Sequence, residues 1–215
     1  MPSYRSITSG PLMQPNRMPQ VTRINTGYLY SARLLPASFN VGPYDFFVTP
    51  QGVAGQNFTN ALTATETNLL NSQRIPDQNM YRITEVGFHV SNRGEGGTAT
   101  ATPLADLRAI MHFSALTFVK PEYTYTFGPV FLWPSGSGIF GTVGATGSGA
   151  GATAVESWAN GWPSPAARTK LDVPLVLMPG DTFKFTLNCR VSQNLGETTK
   201  VWLFLKGETQ AVIAQ

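Results

Sequence analysis

The side chains with the most chemical potential in this sequence are one thiol and two imidazoles, Cys189, His89 and His112. A cysteine beside a histidine makes a nucleophile, because a base within hydrogen-bond reach draws off the thiol proton. Here the cysteine belongs to the alternation Phe183, Phe185, Leu187, Cys189, Val191. Residues two apart share one face of a strand, so the thiol is expected in the core with its four apolar companions. His89 lies between Phe88 and Val90, and His112 closes a helical run; core-edge and capping roles fit both. One cysteine and two distant histidines without an HxH pair give neither a disulfide nor a metal-ligand spacing.

Gly136-Ser137-Gly138-Ile139-Phe140-Gly141 matches the dinucleotide pattern GxGxxG. That pattern works only between a strand and a helix, and the Gly-Ala-Ser-Thr run that follows has no helical periodicity. A turn or loop is expected there. The 12 acids are scattered, and nothing selects the pair that glycoside hydrolysis needs. Asn57-Phe58-Thr59 is a formal glycosylation sequon without a signal peptide ahead of it, and reads as chance. Trp133, Trp158 and Trp162 could stack on sugars as in lectins, but packing beneath a loop is the preferred reading. No catalytic activity, cofactor or metal is expected.

Strands must carry most of these residues. The chain has 215 residues, 42% of them hydrophobic and 11% aromatic, which excludes a disordered chain and suits one domain with a sizeable core. No apolar run reaches the roughly 20 residues of a membrane-spanning helix, and the start leads into no signal-peptide core. A cytoplasmically made chain is expected. Charged residues are only 13%, about half the usual share, so partners are expected to cover much of the surface.

Residues 1–43 hold Pro2, Pro11, Pro15, Pro19, Pro36 and Pro43, and read as an extended arm. Four arginines, Arg5, Arg17, Arg23 and Arg33, and no acid precede Tyr44, so the arm could meet phosphate, anionic lipid headgroups or another subunit. From Tyr44 to the end, short aromatic and β-branched runs bounded by turn residues predict an all-β antiparallel sandwich of about eight strands. Strands are expected over 44–49, 80–90, 113–120, 123–133, 170–177, 182–191 and 200–205, the last continuing through Val212. Residues 63–70 fit an edge strand or a short helix equally well. Thr102, Pro103 and the spacing of Leu104, Leu107, Ile110 and Met111 predict one short helix over 103–112. Residues 91–97 and the Gly-rich stretch 136–153 are expected as loops.

Several segments taken in order resemble the jelly-roll major capsid proteins of tailless icosahedral bacteriophages, in the lineage with upright sandwiches. They are Phe46-Phe47-Val48-Thr49-Pro50-Gln51-Gly52, Thr65-Glu66-Thr67-Asn68-Leu69, and Arg74-Ile75-Pro76 leading into Tyr81-Arg82-Ile83-Thr84-Glu85-Val86. Leu132-Trp133-Pro134-Ser135-Gly136-Ser137-Gly138 follows, then the run from Leu171 to Phe183, then Leu203-Phe204-Leu205-Lys206-Gly207. The resemblance implies a single jelly roll over 44–215 and a structural virion protein, made in the host cytoplasm, that self-assembles into an icosahedral capsid. Its implied partners are itself, as a capsomer trimer or hexamer, and other capsid proteins. The arm would reach an internal membrane or the viral genome through Arg5, Arg17, Arg23 and Arg33. The chain departs from the many members with two fused rolls, since it has room for one. A minor vertex or spike-base protein and a carbohydrate-binding module are the alternatives.

Overall fold

The computed structural model describes residues 21–39, 42–93, 104–134, 140–146, 153–159, 169–190, 192–195 and 198–213. In chain order the strands are β1 (Val21–Leu35), β2 (Ser38–Phe39), β3 (Tyr44–Phe46), β4 (Asn79–Arg93), β5 (Ser114–Lys120) and β6 (Tyr123–Pro129). They continue as β7 (Phe140–Thr146), β8 (Thr153–Ala159), β9 (Lys170–Leu177), β10 (Lys184–Cys189), β11 (Gln193–Asn194) and β12 (Thr199–Ile213). Helix α1 (Leu104–Phe113) enters β5 directly, and a 3-10 turn, Val130–Leu132, follows β6.

Eight strands form two antiparallel four-stranded sheets, in the orders β1-β12-β4-β9 and β3-β10-β5-β6. The expected alternation explains why they stack. Phe183, Phe185, Leu187 and Cys189 are all buried, as are Leu116 and Phe118 on the neighbouring β5. Ile83, Val86, Phe88, Leu203 and Leu205 meet them from the first sheet in one continuous cluster. Phe46 closes on Phe88 edge-to-face, with ring centroids 6.1 Å apart. Two apolar sheet faces thus share one core.

The two sheets differ in length. β1, β4 and β12 have 15 residues each, about 50 Å at the usual rise, whereas no strand of the second sheet exceeds seven. At the far end, Ile24, Asn25 and Thr26 on β1 are exposed, while Leu29 and Ala32 to Leu35 are buried. Close approach along this ribbon requires glycine at 207, at a register shift between β12 and β4. A Cβ there would stand 1.9 Å from the Arg82 carbonyl oxygen. Gly207→Ala must therefore force two backbones apart, and is expected to destabilise the protein by about 1–3 kcal/mol. A urea titration checks this.

The arm expected over 1–43 is contradicted over its second half. Residues 21–35 are β1, an integral strand paired with β12 from Val21↔Ile213 to Leu35↔Thr199. Pro19 and Pro36 bracket a proline-free run long enough for this strand, whose inner face carries Leu29, Ser31, Arg33 and Leu35. Outer Ala32 and Leu34 are covered by Phe58, Leu62 and Trp202. Residues 1–20 lie outside the described residues.

Other bounds shift for local reasons. The first expected strand, 44–49, stops at Phe46 because Phe47 takes a positive φ of 66°. Residues 63–70 are neither helix nor strand but turns with a single bridge, Thr67 to Ser31. The 91–97 loop is shortened because β4 runs to Arg93; residues 94–103 are not described. The strand expected to reach Trp133 ends at Pro129. The Gly-rich loop 136–153 is in part a hairpin: β7 pairs β8 from Phe140↔Ala159 to Thr146↔Thr153, since a two-stranded ribbon rests on backbone bonds that glycine can make. The helix stands where expected, with Leu107, Ile110 and Met111 buried.

Candidate contact surface

The residues that could have carried chemistry are separated by the fold. Cys189 is 2% exposed on the core side of β10. His89 lies between the inward Phe88 and Val90, so it faces the other side of the first sheet, with its ring 6.0 Å from that of Trp202. His112 is exposed in the last turn of α1 and stacks on Phe131 at 5.5 Å. No group of three His, Cys, Asp or Glu side chains gathers among the described residues. Of Gly136–Gly141, only Phe140 and Gly141 are described, and the chain continues from them as strand β7, which offers no helix N-terminus to a phosphate.

Most described acids serve as ion-pair partners. Asp45 binds Lys184, Glu66 binds Lys200, Asp77 binds Arg74, Glu85 binds Lys206, Asp181 binds Lys120 and Glu208 binds Arg82. Asn57 has a positive φ, and its Nδ2 donates to the Leu34 carbonyl at 3.1 Å, which ties the sequon asparagine to β1. Trp133 packs as expected, with its indole N–H donating to the Phe127 carbonyl at 3.0 Å and its ring 5.2 Å from Phe127. Trp162 lies outside the described residues, and Trp158 is placed on β8.

The four arginines do not share one surface. Arg5 and Arg17 lie outside the described residues. Arg23 stands on β1 opposite Ala211, while Arg33 is buried opposite Val201. Sequence reasoning missed that burial, although Arg33 falls in phase with Leu29 and Leu35.

Segment 63–69 seals the outer edge of β1 beside Arg33. The Ala32 N–H donates to the Glu66 carbonyl at 2.7 Å, Tyr30 N–H to Asn68 Oδ1 at 3.0 Å, and Asn68 Nδ2 to the Tyr28 carbonyl at 2.6 Å. These bonds occupy groups that could otherwise recruit a foreign strand. Glu66 anchors the segment. Burial works to raise its pKa, but the hydroxyls of Thr63 and Thr65, the Thr63 N–H and the Lys200 ammonium together hold it at about 2. A carboxylate depressed in the fold stabilises above its unfolded value and loses that contribution as pH falls through its folded one. Stability is therefore expected to decline by about 1–2 kcal/mol between roughly pH 4.5 and 2, after allowance for water screening. Glu66→Gln should flatten that part of a urea-midpoint profile.

Large apolar side chains are exposed on β1 and in the segment beside it, at Ile24, Tyr28, Val53 and Leu70, and also at the opposite edges of the sheets. On β6, Tyr125 is 60% exposed and Tyr123 nearly half, although both alternate in phase with the buried Phe127. On β9, Val173 is 81% exposed, with Val176 and Met178 beyond it. Asp181 draws these edges together: its Oδ2 accepts the Lys120 ammonium at 2.6 Å and the Met178 N–H at 2.8 Å. Lys120 Nζ in turn lies 5.9 Å from the centroid of the Tyr123 ring. Burial opposes the Lys120 charge, but the hydrogen bond and charge of Asp181 outweigh it and hold the ammonium's pKa above its ordinary value. Phe113, Phe131 and Leu132, beside His112, form a second exposed apolar group. Exposed side chains of this kind suit protein contact better than catalysis. Among the described residues, no helix is long and apolar enough to cross a membrane. Comparison with family models, curated proteins and solved structures found no match to this chain.

Proposed function

We propose that this protein is a structural virion subunit, a single jelly roll that self-assembles into an icosahedral shell of the kind its sequence resembles. The observation that carries the reading is the strand order. Numbered along the chain, the eight strands of the two large sheets fall as first, eighth, third, sixth in one and second, seventh, fourth, fifth in the other. That is the interleaving two nested Greek keys give when a long hairpin is rolled up. Low charge and apolar side chains at the β6 and β9 edges support assembly, since a shell subunit buries its rims against neighbours. With one roll per chain, a capsomer would be a trimer or hexamer of this chain, joined by other capsid proteins.

Electron microscopy and sedimentation of the purified full chain test the proposal. Closed particles, or a ladder of capsomers that closes as concentration rises, are expected. A species that stays monomeric at every accessible concentration would overturn it. A small oligomer that changes only on adding sugar would favour the carbohydrate-binding alternative, and a species seated singly at a particle vertex the minor-component one.

A further inference from the structure

We infer that the free edge of β6 is a docking site for a second copy of this chain, whose own β6 lies antiparallel to it across a two-fold axis at Tyr125. The inference rests on the self-assembly reading and names a contact within it, since an icosahedral shell joins its subunits across two-fold axes as well as others. A strand at the edge of a sheet leaves a row of N–H and C=O groups unpaired, and proteins block such rows. Three of the four edges of the two large sheets are blocked. Segment 63–69 bonds to β1 from Tyr28 to Ala32, and beyond it that strand carries Arg23. β3 has three residues and packs against β1. β9 carries Lys170, Asp172 and Pro174, and a proline gives no N–H to a ladder. β6 has none of these protections: Tyr123 to Phe127 hold no charge and no proline, and β5 is its one strand partner among the described residues. Tyr123, Thr124, Tyr125 and Thr126 are all exposed.

The sequence of that edge selects its occupant. Tyr123-Thr124-Tyr125-Thr126-Phe127 alternates aromatic and hydroxyl side chains in the same way when read in either direction. Set antiparallel about Tyr125, Thr124 of one copy meets Thr126 of the other, Tyr125 meets Tyr125, and Tyr123 meets Phe127. Aromatic faces aromatic and threonine faces threonine, which are cross-strand pairs that stabilise an antiparallel ladder. The same register keeps like charges apart: Glu122 faces Gly128, and Lys120, already held by Asp181, faces Val130. The Trp133 indole takes the Phe127 carbonyl, which marks the end of the free row. Directly opposed residues share one face of a sheet, so both inner faces stay on the same side and the two four-stranded sheets join edge to edge. A foreign chain would meet these pairings by coincidence, whereas a second copy meets them by identity.

The test uses the full-length protein and reads association by sedimentation against concentration, with urea unfolding of each dissociated subunit as the control. Tyr125→Lys and Tyr125→Glu each set like charges face to face at the axis, and each is expected to raise the concentration needed for association about tenfold or more. Tyr125 is 60% exposed, so both variants should still unfold in one cooperative transition. Mixed in equal amounts, the two variants set opposite charges at the axis, and association should return toward that of the parent. Such rescue is peculiar to a contact in which a residue meets its own counterpart. Single variants that associate like the parent, or a mixture no better than either alone, would overturn the inference and leave the self-assembly reading standing. A parent that stays monomeric at every concentration would remove that reading, and the inference with it. A monomeric parent that bound a synthetic peptide of alternating threonine and valine, with Tyr125→Lys losing it, would assign the edge to a foreign strand instead.

Discussion

Removal of residues 2–34 is expected to leave a chain that does not fold, whereas removal of residues 2–20 leaves a cooperative one. The longer deletion takes all of β1 except Leu35, and with it a strand paired along its whole length with β12. It removes buried Leu29, Ala32 and Leu34, each large side chain worth about 1.5–3 kcal/mol of burial. It also removes Ser31 Oγ, which accepts the buried Phe47 N–H at 3.0 Å, and the backbone groups that hold segment 63–69. Set against a typical total of about 5–15 kcal/mol, those losses exceed what a domain can lose. The shorter deletion takes away none of the described residues. Circular dichroism and urea unfolding of the two truncations distinguish them, and a sharp transition in the longer one would show that β1 is dispensable.

Phe185→Ala is expected to lower stability by about 3–5 kcal/mol, among the largest effects of any single side chain here. The ring is fully buried at the middle of the second sheet, with centroids of Phe118 at 5.0 Å, Phe127 at 5.3 Å and Phe47 at 6.0 Å. Three aromatic neighbours anchored in β5, β6 and the turn after β3 cannot all move inward, so a cavity persists. The urea midpoint should fall with little change in slope. A loss under about 1 kcal/mol would mean the core closes over the gap.

The second half of the chain was largely legible because its strands are buried on one face and announce it. Phe183, Phe185, Leu187 and Cys189 alternate cleanly, β9 occupies Lys170–Leu177 as read, and α1 carries the one helical spacing. β1 was not legible because its second half is buried on both faces, by the core and by Phe58, Leu62 and Trp202, which erases the alternation. Nor could sequence show that Asn68, a side chain 38 residues from Tyr30, would bond to the β1 edge. For the contact surface, the sequence yielded only a strand over 123–133, with no sign that Tyr123 and Tyr125 would stand exposed beside a buried Phe127. That difference in cover depends on where the rest of the sandwich reaches, and no local residue pattern encodes it.

The pairing of Val21 with Ile213 has a mechanical meaning. The first and last described strands are antiparallel neighbours whose outer ends, Val21 and Ile213, lie side by side. Tension applied through those ends would load the β1–β12 bonds one at a time, as a zipper opens, instead of all together in shear. Such a ladder peels at low force. A subunit wired this way resists pulling poorly at its ends, so in any assembly under internal pressure the stress has to be carried across its flanks, from one sandwich rim to the next.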